Sequence, residues 1–381
     1  MRSPGKDQVT FPAGRSHLVR AAVRGSGPFR GAAHTEVMTL SITLVDAVCP
    51  LHDRVRRSVA GALRDRVAGE DNAARAAVIW HTPGERWFPQ ADPIWRVHAD
   101  AAMFVAGIRA LLLQSLHPLA MAGVAGHSDY KGDPWGRLQR TSNFLATTTF
   151  GTVQDAEALI KRVQGIHERV RGRAPDGRPY AASDPHLLKW VHIAEADSFL
   201  RAHQQYAGTP LTPDEADCYV AQSCVVATRL GVMAPPTTVV ELDAAVESYR
   251  HELEGTPAAR EAARFLLLHP PLPRIARPGY GALAGAAVAL LPLWARPYLA
   301  LPYLPLAERA IVLPIGGAAT SVIRWALQSP RAISSTCVSS TCVSSAGQEI
   351  SASTKASGSK GARSSGPSPR PTNLTGTPSL R

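Results

Sequence analysis

The chain has 381 residues, of which 45 % are hydrophobic, with five cysteines, 31 prolines and 30 glycines. That apolar share excludes wholesale disorder, and so few cysteines exclude a disulfide scaffold, which leaves one large or two ordinary domains. Lys+Arg is 41 against Asp+Glu of 30, a formal net charge of +11, so an anionic partner is the first question the composition raises.

The placement of the charge answers much of it. Residues 1–37 carry a net +4, residues 330–381 a net +5, and only +2 remains for 38–329. The first segment is Gly/Arg-rich and has no apolar run of signal-peptide type, so a solvated, disordered extension is expected over 1–37. Met38 precedes the first periodic residues and reads as an alternative start. Arg56-Arg57 is followed by a charged helical pattern and does not read as an export signal. The last segment, 330–381, is Ser/Gly/Pro/Thr-rich and contains a direct repeat, Ser334 to Val338 and Ser339 to Val343. It cannot bury enough surface to offset its ordering entropy, so a disordered low-complexity tail is expected, with Cys337 and Cys342 incidental. Neither tail interleaves aromatics with its charges, so no specific nucleic-acid binding is expected. Unpaired Cys49, Cys218 and Cys224 fit a cytoplasmic protein.

Between 45 and 329 strand-type alternation is scarce and helical periods recur. The run from His98 to Val124 is apolar apart from Arg109 and Gln114, and Pro118 should break it. Thr152 with Asp155 announces the next helix, carried by Ala156, Leu159, Ile160, Val163 and Ile166. Ser183-Asp184-Pro185 starts another that runs to about His203. Thr212-Pro213-Asp214-Glu215 starts a fourth that ends near Gly231. Two more are expected over 238–253 and 257–268. The repeated start signals predict an all-α fold, a single large helical domain. Residues 282–315 hold an uncharged run that is too short for a span and is broken by five prolines, with Arg296, Glu308 and Arg309 after it. A core helix with a proline-rich packing segment is one reading; peripheral membrane contact is the other.

No phosphate-binding glycine loop, His-Glu-x-x-His pair or nucleophile elbow is present. What stands out is a concentration of histidines and arginines: His98, His117, His127, His167, His186 and His192, with Arg109, Arg137 and Arg140. His167 follows Val163 by four and Ile160 by seven, at the edge of an apolar helix face, where it is either a satisfied core histidine or a ligand. His192 precedes Glu195 by three, so a carboxylate one turn away either orients the ring or merely pairs with it. His117 sits at the break before Pro118, where it bonds exposed backbone or faces a cavity. Arg137, Arg140 and Thr141 share one face if their segment is helical, a pattern suited to carboxylates or phosphates such as haem propionates.

These strings resemble one family. Arg109 to Pro118, His127 to Thr141, Phe144 to Gly151, Ile166-His167-Glu-Arg-Val-Arg-Gly, Pro185 to His192 and the stretch at 291–296 are similar to the bacterial rubber oxygenases (latex clearing proteins) and the fungal mycophenolic-acid-pathway oxygenase. The resemblance covers about 80–330. It implies an all-helical fold around a buried haem b, with an Arg-x-x-Lys-Thr motif near the iron and a later histidine as proximal ligand. Arg137, Arg140 and Thr141 match that motif, and His167 matches the proximal histidine, with His192 the second candidate. His117 is a further cofactor-contact candidate. Arg140 stands where the family has lysine; an arginine stays protonated and does not bind iron readily, so the distal side would be open or ligated otherwise.

The expectation is therefore a haem-b-dependent oxygenase that takes a small hydrophobic substrate and dioxygen. His167 would hold the iron. Arg137 and Arg140 would neutralise a propionate or a developing negative charge, Thr141 would donate a hydrogen bond, and the apolar run 101–116 would wall a channel. The alternative is a non-catalytic all-helical hydrophobe- or lipid-binding protein with peripheral membrane contact.

Overall fold

The computed structural model describes residues 53–67, 69, 71–127 and 131–327. The expectations for 1–37, Met38, Cys49 and 330–381 lie outside the described residues.

The chain is helical, as its start signals require. In order come α1 (53–67), α2 (Asn72–His81), α3 (Pro93–Ala99), α4 (Met103–Gln114), α5 (Pro118–His127), α6 (Pro134–Phe150) and α7 (Val153–His167). A short antiparallel hairpin follows, β1 (Arg171–Arg173) with β2 (Pro179–Ala181), registered Gly172 to Tyr180. Then come α8 (Pro185–Tyr206), α9 (Pro213–Leu230), α10 (Val239–Ser248), a 3-10 turn (Arg250–Glu252) and α11 (Pro257–Leu268). A second 3-10 turn (Arg274–Ala276) leads into α12 (Arg277–Ala289) and α13 (Ala295–Tyr298). A last helix is built from α14 (Pro305–Ala307), a π-turn (Glu308–Val312) and α15 (Leu313–Leu327).

The starts are chemically specified. Asp133, Thr152, Asp184, Thr212, Thr238 and Thr256 each accept a backbone N–H of their own first turn. Thr212 and Glu215 form a reciprocal capping box, and Gly231 closes α9 with φ 107°, a left-handed conformation that a side chain resists. Pro118 does restart the apolar run, and the expected 238–253 helix breaks after Ser248 into the 3-10 turn.

The centre of the domain is α8 against α4. From Ile193 to Leu200 every α8 residue but Glu195 is buried, so this helix is covered on all sides. Val105, Ala106, Leu112, Leu113 and Leu116 are almost fully buried against it. The run 101–116 is thus filled core rather than the wall of a channel. Arg109 interrupts it without penalty because its charge is matched: Nη2 lies 2.7 Å from Asp197 Oδ2, Nη1 donates to Ser198 Oγ (2.7 Å) and Nε to the Leu290 carbonyl (2.9 Å).

Asp100 fixes the 91° bend between α3 and α4. Its Oδ1 accepts the Ala102 N–H, and both of its oxygens accept from Arg324 of α15, which also donates to the Tyr206 carbonyl. Arg296 and Glu308, which interrupt the apolar sequence at the C-terminal end, pair with each other at 2.6 Å, and Glu308 also caps the Leu304 N–H at the π-turn. Once paired, they leave Leu304, Leu306, Ile311, Ile315 and Val322 as exposed apolar side chains. The helix Pro305–Leu327 is long and apolar enough to cross a membrane by length and composition.

Candidate functional site

Two groups of ionisable side chains lie on different faces of α8. The first faces α3, α6 and α9. His98 of α3 has Nδ1 2.8 Å from Thr149 Oγ1 of α6, and its ring stands edge-on to Phe199 of α8 (5.4 Å) and Tyr219 of α9 (5.9 Å). Glu195 and His192 precede Phe199 by four and seven residues, so all three share one stripe of α8.

Burial sets the protonation of this group. It lowers the pKa of His98 to about 3 and, together with the Lys189 charge, that of His192 to about 4; both rings are neutral at pH 7. Burial alone raises the Glu195 carboxyl to about 7. Burial first, then the Glu195 and Asp197 charges, pushes the Tyr219 hydroxyl well above its usual value. The Nε2 atoms of His98 and His192 are buried without a hydrogen-bond partner. His98, His192 and Glu195 are each partly buried within the domain. Orphaned imidazole nitrogens beside a carboxyl of raised pKa are costly for folding alone and mark a functional-site candidate.

His167 ends α7, half-buried, with Nδ1 buried and unpartnered; burial lowers its pKa, so it too is neutral. No contact in the structure joins it to His192. Arg137, Arg140 and Thr141 lie on α6 with Phe144, Thr147 and Thr148 on one inward stripe, but the stripe is buried only from Thr147 on. Arg137 is half-buried. Thr141 is exposed, and Arg140 is exposed and paired with Asp133 at 3.2 Å. The structure therefore does not bring Arg140 and Thr141 to the enclosed histidines, because the N-terminal half of α6 projects past the elements that cover its other half. His127, at the end of α5, faces Tyr180 of β2 at 6.0 Å.

The second group lies where α4 meets α5. His117 is buried there, its Nε2 3.4 Å from Glu252 Oε2. Both Glu252 oxygens lie 2.9 Å from His186 Nε2. Glu252 reaches this point because the Glu254 N–H bonds the Leu116 carbonyl at 2.8 Å, which pins the 3-10 turn to the end of α4. Tyr249 stacks on His186 with ring centres 4.5 Å apart. His117 and His186 also lie beside Trp190, one turn on from His186, whereas His192 is about 200° further round the helix. His117 is thus remote in facing from the first group. Nothing in the local sequence around Glu252 or Tyr249 signals this convergence.

An open cleft of about 560 Å³, lined by Arg109, Asp197, Arg201, Asp243 and Trp294 among others, contains none of these histidines. Its charged walls do not suit an apolar substrate.

The class the structure defines is a single helical domain with ionisable groups enclosed at its centre. The sequence profile of the family described as ER-bound oxygenase mpaB/B'/Rubber oxygenase, catalytic domain, matches residues 95–325, and the chain belongs to that family. The match spans α3 to α15 and so contains every residue of both groups. No curated protein and no solved structure matches the chain.

Proposed function

We propose that the protein is a haem-b oxygenase, with the cofactor held between α3, α6, α7, α8 and α9. The observation that carries this reading is the set of buried, neutral imidazoles with unpartnered nitrogens, His98, His192 and His167. Neutral imidazole is the form that ligates iron, and a haem iron would satisfy a nitrogen that folding leaves orphaned.

His167 is the proposed iron ligand, on the family resemblance and its neutral ring; His192 is the second imidazole of the interior. Haem would supply the activation of dioxygen. The chain's own groups do the rest. Glu195, with a carboxyl near pKa 7, can hold or release a proton inside the domain at neutral pH. Thr149 orients His98, and Phe199 and Tyr219 exclude water around it. Arg137 and Arg140, on the same α6 stripe as buried Thr147 and Thr148 but nearer solvent, suit propionate carboxylates, with Thr141 beside them; Arg140's exposure fits that edge better than a place at the iron. A small hydrophobic substrate is the partner that an apolar, water-excluding interior favours.

Peripheral membrane contact is part of the reading. Leu306 is 84 % exposed, and Leu304, Ile311, Ile315 and Val322 are further exposed apolar side chains at or along the last helix. Flotation with liposomes that is lost in Leu306→Glu/Ile311→Glu supports contact at this helix. The haem assignment is tested by cofactor content: His167→Ala should purify without haem and His98→Phe with it. Full haem in His167→Ala together with loss in His192→Ala moves the ligand to α8.

A further inference from the structure

We infer that His117, His186 and Glu252 form a second site, independent of the proposed haem pocket, that binds one divalent first-row transition-metal ion of the zinc class. One ligand atom from each lies within 4.8 Å of the others. Two imidazoles and one carboxylate converging from three segments are the donor set of open zinc and iron(II) sites.

The protonation pattern prepares the two imidazoles. Tyr249 Oη lies 2.9 Å from the His186 carbonyl and 3.2 Å from His186 Nδ1. Its single proton goes to the carbonyl, so it accepts from Nδ1–H, and the proton on Nδ1 leaves Nε2 as the ligating nitrogen. In the metal-free chain Nε2 faces both Glu252 oxygens at 2.9 Å, and an ion bound between them would replace that contact. His117 is 1 % exposed. Both of its ring nitrogens lack a hydrogen-bond partner, although Nε2 points toward Glu252 from 3.4 Å. A buried imidazole with unpartnered nitrogens has a lone pair free to take a ligand.

His186 is half-exposed and Glu252 is 29 % exposed at its side chain, so water reaches the remaining coordination positions. The three ligands come from the α4–α5 junction, the first turn of α8 and the 3-10 turn after α10. An ion there would clasp segments 69 and 66 residues apart in sequence and stabilise the fold in proportion to its occupancy.

The test uses the full-length protein, stripped with chelator and titrated with Co(II) as a spectroscopic stand-in for zinc. The expected result is one equivalent per chain, with d–d absorption and no thiolate charge-transfer band, so that the cysteines are not the ligands. His186→Ala and Glu252→Gln, both at partly exposed positions, should each weaken binding at least about ten-fold and leave haem content unchanged. Zinc should raise the melting temperature of the wild type and of neither variant. No stoichiometric uptake, uptake unchanged in both variants, a thiolate band, or haem lost together with the metal would each overturn the site. Because haem is read separately in the same samples, a colourless protein that still binds Co(II) refutes the haem reading and leaves this one standing.

Discussion

Replacing Arg109 by methionine removes the buried one of the two arginines paired with Asp197 at the centre of the domain. Asp197 is 4 % exposed, and after the change it keeps only Arg201, 3.0 Å from Oδ1 and itself partly open to water. The Leu290 carbonyl and Ser198 Oγ lose a donor at the same time. Breaking a buried pair so that one charge keeps only a partly exposed partner costs up to about 3–5 kcal/mol. For a domain of this size that corresponds to a drop in melting temperature of about 10 °C. Guanidinium unfolding followed by far-ultraviolet circular dichroism reads it directly. The double variant Arg109→Met/Asp197→Leu should recover part of the loss, since no charge is then stranded, which makes the two substitutions strongly non-additive. A single-variant cost below about 1 kcal/mol, or a double variant equal to the sum of the singles, would refute the argument that the pair is what makes Arg109 tolerable in α4.

Two further outcomes follow from the packing and the buried carboxyl. Glu195 ionises near pH 7 in the fold against 4.5 outside it, so its penalty is absent below 4.5, grows as pH rises and is complete above 7. That penalty is about 3 kcal/mol, so Glu195→Gln should be more stable than wild type at about pH 8 and equal to it at about pH 4; a difference that does not change with pH contradicts the burial argument. Gly316 lets α15 approach α12 closely, because a Cβ there would stand 2.6 Å from the Ala286 Cβ. Gly316→Ala should cost about 1–3 kcal/mol in thermal unfolding, and a neutral result would mean the two helices shift apart freely.

Much of the fold could be read along the chain because helix starts are written locally. Thr152, Asp184 and Thr212 cap helices where their side chains predict, and Pro118 and Gly231 end them where their backbone requires. The β1–β2 hairpin was not anticipated, since three-residue strands carry no alternation to detect. The role of the 101–116 run was misjudged for a related reason: periodicity shows that a face is apolar, not whether protein or ligand covers it. The candidate site was legible only in part. His192 and Glu195 lie one turn apart and could be paired by spacing, and the family resemblance singles out His167. The partnership of His98 with Thr149, 51 residues away, and of His117 with Glu252 arises only when α3 meets α6 and the 3-10 turn meets α4. The sequence carries a net charge of only +2 over 38–329; the matched pairs Arg109–Asp197, Arg296–Glu308 and Arg324–Asp100 among the described residues appear only in the fold.

The central claim is that the enclosed histidines hold a haem in an oxygenase fold. The direct measurement is the visible spectrum of the purified full-length protein, with its pyridine haemochromogen, before and after addition of haemin. A Soret band and a b-type haemochromogen at one haem per chain are predicted. A colourless protein that takes up no haemin at one equivalent would contradict it.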